Sequence, residues 1–234
     1  MAGPDAEEAG GGLRWHPSPN HGPRRDGLRP ALVVLHFTGM ADTRAALERL
    51  CDPVAEVSVH YLIDGGGCVW QMVPEDRRAW HAGAGAWGGR GDVNSRSVGV
   101  ELCNPGDRPF PEPQMRALEA LLRGILARWA IPAAGVIGHS DMAPARKFDP
   151  GPRFDWRRLA RQGLAIWPGA LPATAPALAQ SLDRIGYPPA PEADRLRAFR
   201  ARFRPALAHA APPEDHTDRA IAAAIAAHWP APAV

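Results

Sequence analysis

The chain has 234 residues, with 27 basic and 25 acidic side chains, so its formal net charge is only +2. A charge this small gives no electrostatic case for binding nucleic acid or an anionic membrane surface, and we expect neither as a partner. The length suits one sizeable core with a small second unit, or two modest domains, and we expect two units.

The cysteines and the N-terminal residues bear on the compartment. Cys51, Cys68 and Cys103 are far apart and form no C-x-x-C pair, which is typical of reduced, partly buried thiols. The first residues, MAGPDAEEAGGG, carry acids and glycines where a secretory signal has basic residues and an apolar core. We therefore expect a cytoplasmic protein, provided Met1 is the true start; an upstream signal would instead make it periplasmic.

The first half of the chain predicts an arm, a strand, a short helix and a hairpin. Residues 1–28 are rich in Gly, Pro and Arg without a period, which indicates an extended arm. The continuous apolar run ALVVLHF, starting at Ala31, predicts a buried central strand that ends near His36. A short helix is predicted over residues 45–50. VSVHYLI (57–63) and CVWQMV (68–73), joined by DGGG, predict a β-hairpin.

Further strands and helices follow. WHAG (80–83) and a glycine-rich loop lead to SVGVEL (97–102), whose alternation predicts a strand with Glu101 near its end. Residues 111–129 predict an amphipathic helix; its apolar face consists of Met115, Leu118, Leu122, Ile125 and Trp129. GVIGH is the last predicted core strand, and residues 156–166 predict a closing helix. We place this first unit at residues 29–168.

The tail differs in composition and starts after a linker, GALPATAP (169–176). Residues 177–234 contain three helical patterns separated by Pro-rich breaks: ALAQSLDRIGY, EADRLRAFRARF and HTDRAIAAAIAAHW. They predict a small helical domain of about sixty residues, a size that folds only marginally alone.

One loop, GHSDMAPARKFDPG (138–151), carries side chains suited to chemistry. His139 follows a short apolar strand and Asp149 comes ten positions later, across Pro144, so we expect both on a loop that is not helical. An imidazole and a carboxylate suit zinc, which takes three protein ligands and an open position when it is catalytic. Lys147 is the only lysine of the chain, so its compact ammonium is expected to do what a guanidinium cannot. The alternative is a solvated loop lysine.

Strand ends gather site residues, so the ends near His36, Glu101 and His139 can converge with Asp149 around one metal ion. We expect His36, His139 and Asp149 as its ligands. Glu101 then takes a proton from water and hands it to a leaving amine. Lys147 stabilises the oxyanion formed when water attacks a carbonyl, and the set describes metal-assisted amide hydrolysis.

Simpler explanations stay open for these residues. His36 could be a hydrogen-bonded core histidine, and Glu101 could pair with one of the many arginines. His60 and His81 compete as ligands. His60, however, lies in the middle of a predicted strand, and His81 better suits a pocket wall or a partner of a ligand.

Five motifs occur in order between Arg29 and Trp167: LHFTGM, VSVHYLID, QMVPEDRRAWHAG, NSRSVGVEL and GHSDMAPARKFDPG. Together they resemble the zinc N-acetylmuramoyl-L-alanine amidases of the AmpD/AmiD type, which are related to peptidoglycan recognition proteins. The resemblance implies an α/β fold with a central mixed β-sheet flanked by helices and a zinc groove on one face. It implies cleavage of the amide between N-acetylmuramic acid, including its 1,6-anhydro form, and L-alanine of the stem peptide.

The resemblance also implies roles for individual residues. One zinc ion is assigned to His36, His139 and Asp149, with Glu101 as acid and base and Lys147 at the oxyanion. The expected partners are muropeptides and anhydro-muropeptides. Four residues are expected to contact them in the groove: Trp80, His81, Asn94 and Arg146.

The tail resembles the three-helix peptidoglycan-binding module, except that its middle loop reads PPAPEA where that module has DG-x-[FY]-G. The alternative is a helical appendage packed on the catalytic unit. For the whole chain, the alternative function is a muropeptide-binding protein without activity. Relatives that only bind usually lack a metal ligand, and none of the three is missing here.

Overall fold

The computed structural model describes residues 12–208 and 212–231, so predictions for residues 1–11, 209–211 and 232–234 lie outside the described residues. In the described ranges the strands are β1 (Leu13–Trp15), β2 (His21–Pro23), β3 (Leu32–Phe37), β4 (Tyr61–Ile63), β5 (Val69–Gln71), β6 (Arg77–Ala79), β7 (Ser97–Leu102) and β8 (Val136–Gly138). The helices are α1 (Thr43–Cys51), α2 (Val93–Arg96), α3 (Glu112–Trp129), α4 (His139–Met142), α5 (Trp156–Arg161), α6 (Leu178–Ile185), α7 (Glu192–Phe203) and α8 (His216–His228).

A six-stranded mixed sheet organises the fold, with strand order β1-β5-β4-β7-β3-β8. Strand β3 lies between β7 and β8 and runs parallel to both, and β4 and β5 form the one antiparallel pair among the described strands of this sheet. Val33, Val34 and Leu35 of β3 are fully buried, as expected for a central strand covered on both faces. The predicted α/β fold with a central mixed sheet flanked by helices is confirmed.

Alternation along the strands divides the core between the two faces of the sheet. Val33 and Leu35 pack in a cluster with α3 and α5, whereas Leu32 and Val34 belong to a second cluster with α6, α7 and α8. His36 continues the alternation of Leu32 and Val34 and therefore lies on the face opposite α3. Glu101, two positions after Gly99, falls on that same face.

The hairpin is confirmed, although both of its strands are shorter than predicted. Tyr61 pairs with Gln71 and Ile63 with Val69, and the Asp64 carboxylate accepts hydrogen bonds from the N–H groups of Gly66 and Cys68 in the turn. Within the predicted extended arm, residues 12–28 contain two short strands that the sequence analysis did not predict. There, β1 joins the main sheet in parallel to β5, and β2 pairs with β6 in a separate two-stranded sheet.

The C-terminal helices form one continuous core with the sheet. Leu182, Phe199 and Ile225, from α6, α7 and α8, are buried in the same cluster as Val34 and Ile137 of the sheet. We call α6–α8 the C-terminal unit; its predicted limits, 177–234, and the linker at 169–176 stay predictions. None of the described helices combines the length and the apolar character that crossing a membrane requires.

Candidate active site

The strand register brings the predicted site residues together. His36 and Glu101 are direct partners across the parallel pair of β3 and β7. On the other side of β3, Leu35 pairs with Gly138, so His139, the next residue, lies beside His36. This convergence follows from three strands that end at the same edge of the sheet.

The expectation that His139 lies in a non-helical loop is wrong, because residues 139–142 form one helical turn, α4. The Asp141 carboxylate accepts a hydrogen bond from the Gly138 N–H at 2.8 Å and so satisfies a backbone donor at the start of this turn. Pro144 follows the end of the turn and therefore does not forbid it. Asp149 does lie in the loop beyond.

Three side-chain atoms meet at one point. His36 Nδ1 lies 2.9 Å from His139 Nδ1 and 2.9 Å from Asp149 Oδ2, and His139 Nδ1 lies 3.1 Å from the same oxygen. Among the described residues these three form a group able to hold a metal ion.

A chain of hydrogen bonds fixes the tautomer of His36. The Ser97 hydroxyl donates to the Val93 carbonyl at 2.6 Å, so its oxygen accepts from His81 Nε2–H at 3.2 Å. His81 Nδ1 is then an acceptor and takes the proton of His36 Nε2–H at 3.0 Å. His36 Nδ1 therefore carries a lone pair, and this lone pair is directed at the three-atom group.

His139 is oriented in the same sense. Its Nε2–H donates to the Ala82 carbonyl at 2.9 Å, which leaves the lone pair on Nδ1. Two imidazole lone pairs and the Asp149 carboxylate thus face one another without a proton between them, an arrangement that a cation relieves. Tetrahedral zinc with bonds of about 2.0–2.2 Å has ligand atoms roughly 3.3 Å apart, so this donor set fits zinc.

The charge states also suit a metal. Burial, and then the neighbouring His139, lowers the pKa of His36 to about 4, and burial also holds the pKa of His81 well below its usual value. Burial by itself would raise the pKa of Asp149, but its close contacts with His139 and His36 outweigh burial and lower that pKa. Neutral imidazoles and an ionised carboxylate are the forms that bind metal.

The group opens into a cavity of about 230 Å³, lined also by Glu101 and Lys147. Burial raises the pKa of Glu101 well above its usual range, the Asp149 charge raises it further, and Lys147 lowers it. Glu101 Oε2 is buried and has no hydrogen-bond partner within the described part of the chain. Glu101, which has a buried oxygen without a partner, thus lines the same cavity as the cation-binding group.

Of the four predicted substrate contacts, Trp80 and His81 line the cavity, whereas Asn94 and Arg146 do not. Arg49 of α1, which the sequence analysis did not single out, also lines it. Asn94 is buried, and its Oδ1 accepts hydrogen bonds from the N–H groups of His81 and Ala82. The structure places Asn94 behind the WHAG segment and not in the cavity.

Arg146 is exposed and lies outside the cavity wall. Its guanidinium donates to the carbonyls of Ala82 and Ala84, both at 2.6 Å. It therefore helps to fix the Ala82 carbonyl, which accepts the hydrogen bond from His139 Nε2–H. Ser97, which fixes His81, is a further residue missed from sequence. A hydroxyl at the start of a strand carries no signal of its own.

Gly99 of β7 leaves the space that His81 occupies. A Cβ added at position 99 would lie 2.5 Å from Cγ of the His81 ring, a distance that real Cβ atoms essentially never show. Because glycine has no side chain, the His81 ring can occupy this space and hydrogen-bond to His36.

A family model described as N-acetylmuramoyl-L-alanine amidase matches residues 26–152 of the chain. The N-acetylmuramoyl-L-alanine amidase AmiD of Escherichia coli (strain K12) is 36% identical over 214 residues, which cover 76% of this chain and 76% of AmiD. The 1,6-anhydro-N-acetylmuramyl-L-alanine amidase AmpD of the same strain is 36% identical over 165 residues, 63% of this chain and 90% of AmpD.

Solved structures give a similar result. The chain matches E. coli AmiD, in complex with anhydro-N-acetylmuramic acid-L-Ala-D-gamma-Glu-L-Lys, with a TM-score of 0.77 and 34% identity over 88% of this chain and 92% of that one. AMPDH3 from Pseudomonas aeruginosa, in complex with an anhydromuramic pentapeptide, matches with a TM-score of 0.77 and 29% identity over 88% and 95%. Residues 1–176 alone could not supply a share of 88%, so these likenesses extend into the C-terminal residues.

Proposed function

The chain belongs to the family of N-acetylmuramoyl-L-alanine amidases, and we propose that His36, His139 and Asp149 hold one zinc ion at its catalytic centre. It is an enzyme that hydrolyses the amide between N-acetylmuramic acid and L-alanine of the stem peptide, with muropeptides, including the anhydro forms, as substrates. The observation that carries the proposal is the convergence of two imidazole lone pairs and a carboxylate beside Glu101. A zinc ion held there supplies Lewis acidity, which polarises a carbonyl and favours deprotonation of water.

Glu101 is the proposed proton carrier. Its carboxylate takes a proton from the water whose oxygen attacks the amide carbonyl carbon, and the same carboxyl then gives that proton to the amide nitrogen as the C–N bond breaks. The absence of a partner for Oε2 among the described residues supports this role, because no hydrogen bond to the protein there competes with a proton for that oxygen.

Lys147 is the proposed oxyanion partner. It lines the same cavity as Glu101 and Asp149, and its positive charge lowers the pKa of Glu101. An ammonium fixed near the attacked carbonyl stabilises the negative charge that develops on its oxygen in the transition state. Trp80 and His81, on the cavity wall, are the proposed contacts to the sugar or the stem peptide.

Mass spectrometry of reaction products tests the proposal. The purified protein is incubated with a mixture of anhydro- and non-anhydro-muropeptides, with and without a metal chelator. We expect free stem peptide from both sugar forms, release that stops with the chelator, and recovery when zinc is restored. Release that continues unchanged in a metal-free protein would overturn the zinc assignment. Failure on every non-anhydro substrate would restrict the enzyme to the anhydro sugar.

We propose the cytoplasm as the place of action. The support is that Cys51, Cys68 and Cys103 are free thiols, and such thiols are usual in a reducing compartment. Fractionation of cells that express the native gene tests this: the amidase should be recovered with cytoplasmic markers. Recovery with periplasmic markers would contradict it.

A further inference from the structure

Asp141 is a buried carboxylate that the catalytic proposal does not use. It lies two residues after His139, and its side chain is 1% exposed. Its Oδ2 accepts hydrogen bonds from the Gly138 N–H at 2.8 Å and from Arg202 Nη1 at 2.7 Å, and its Oδ1 accepts from the Tyr187 hydroxyl at 2.6 Å. Two of the three donors belong to residues that follow α6 or lie in α7.

Arg202 is fixed at several points. Its Nη2 donates to the carbonyl of Val136 at 3.0 Å, and its guanidinium lies over the ring of Trp156, 4.1 Å from the ring centre. Val136 begins β8, the strand that leads directly into His139. Arg202 therefore connects the start of β8 with the turn that carries His139.

A second arginine of α7 contacts the same segment farther along. Arg197 Nη2 donates to the Pro144 carbonyl at 3.0 Å. The backbone also joins the two proposed ligands of this region, because the Ser140 N–H donates to the Asp149 carbonyl at 2.9 Å. The position of α4 thus determines both where His139 stands and how the Asp149 loop is attached.

We propose that the C-terminal unit braces the metal centre, and that Arg202 and Tyr187 are positioning residues that act on the metal ligands through Asp141. The proposal rests on the zinc site of the proposed function. Its basis is that charged and polar groups of the unit meet on one buried carboxylate beside a ligand. A buried ion pair is weak evidence for stability alone, since apolar packing often replaces it without loss.

Zinc affinity tests the brace in three full-length variants. Tyr187→Phe removes one hydroxyl and leaves the ring packing. Arg202→Met removes the guanidinium and keeps an apolar stem. Arg195→Met is the matched control, because Arg195 also lies on α7 and pairs with an aspartate, Asp183, but its hydrogen bonds stay within the C-terminal unit. The zinc dissociation constant is measured by competition with a chromophoric chelator, well below the melting temperature of each variant.

We expect Arg202→Met to weaken zinc binding about tenfold or more, the size seen when a supporting partner of a metal site is removed. Tyr187→Phe should weaken zinc binding several-fold. Arg202→Lys, which keeps a positive charge, should weaken it less than Arg202→Met does. Arg195→Met should lower the melting temperature but leave the zinc affinity within about twofold of wild type.

Two results would overturn the proposal. One is wild-type zinc affinity in folded Arg202→Met and Tyr187→Phe. The other is an equal loss in Arg195→Met, which would make the effect one of general stability. If Arg202→Met does not fold, Tyr187→Phe decides. A wild-type protein that binds no zinc would be a failure of the proposed function and is visible before any variant is compared.

Discussion

At the residue scale, Glu101 combines a raised pKa with an oxygen that lacks a partner among the described residues. Replacing it by Gln keeps the shape and removes the ability to carry a proton. We expect kcat to fall by about 10²–10⁴ in Glu101→Gln, since that is the usual contribution of a positioned acid or base. Zinc content, measured by elemental analysis, should stay at the wild-type value. Unchanged turnover with zinc bound would exclude Glu101 from the reaction.

Lys147 gives a second prediction at this scale. Lys147→Met should lower kcat about 10²–10³-fold, by analogy with the loss of one oxyanion donor, and should change zinc content little. Lys147→Arg keeps the charge but spreads it over a bulkier planar group, so we expect only partial activity. Steady-state kinetics of the two variants on one muropeptide make the comparison. Equal activity of Lys147→Met and wild type would leave the lysine without a catalytic role.

Sequence alone could bring His36, Glu101 and His139 together, because each ends or follows an apolar strand and strand ends share one edge. The hydrogen bonds that set the tautomers could not be predicted. They join Ser97 to His81 and His81 to His36, across segments whose approach depends on the packing of the whole sheet.

At the element scale, the β4–β5 hairpin and the end of α3 are joined through Glu75. Its carboxylate accepts hydrogen bonds from the Tyr61 hydroxyl at 2.7 Å, from Arg128 Nη2 at 2.6 Å and from Trp129 Nε1 at 2.5 Å. Burial by itself would raise the pKa of Glu75, but the hydrogen bonds from Arg128, Tyr61 and Trp129 lower it below its usual 4.5.

A pH dependence of stability follows from this junction. A carboxyl with a lower pKa in the folded state stabilises the fold above its unfolded pKa, and the contribution is lost as the pH falls through the folded value. The free energy of unfolding should therefore fall between pH 7 and pH 3 by more in wild type than in Glu75→Gln. Urea unfolding of both proteins at the two pH values measures the difference. Parallel falls would show that Glu75 does not contribute.

Elements that lie in a longer sequence pattern were predictable, including the three-residue strands β4, β5 and β8, whereas β1, β2 and β6 were not. β7 was predicted with its observed bounds, and α3 to within one residue, because each has enough residues for a period to appear. The three-residue strands β1, β2 and β6 have no period to detect. They form only because a partner strand is present, and that is a property of the tertiary fold.

At the scale of the whole molecule, the shared core predicts cooperative unfolding. Phe199 of α7 is fully buried in the cluster that also contains Val34 and Ile137 of the sheet. We expect Phe199→Ala to cost about 3–5 kcal/mol and to shift a single transition, because the loss affects both sides of this core. Unfolding followed by far-UV circular dichroism and by tryptophan fluorescence should coincide. Two separate transitions, with only the first one shifted, would mean that the C-terminal unit unfolds independently.

From the sequence this shared core was only an alternative, a helical appendage packed on the catalytic unit. A linker rich in proline and alanine, followed by three helical patterns, suggests a separate unit, and no local pattern shows which surface such helices cover. The structure supplies the reason: the face of the sheet formed by Leu32 and Val34, opposite α3, is apolar, and α6–α8 bury it.

The open position at Gly99 has a consequence for how the protein tolerates sequence variation. In a library of random substitutions, position 99 should be depleted of every other residue, alanine included, since one added methyl group displaces the His81 ring. Such a library would mark Gly99 as strictly as a catalytic position, although it has no side chain to offer. The intolerance of position 99 to substitution would then reflect the space that the His81 ring occupies beside it.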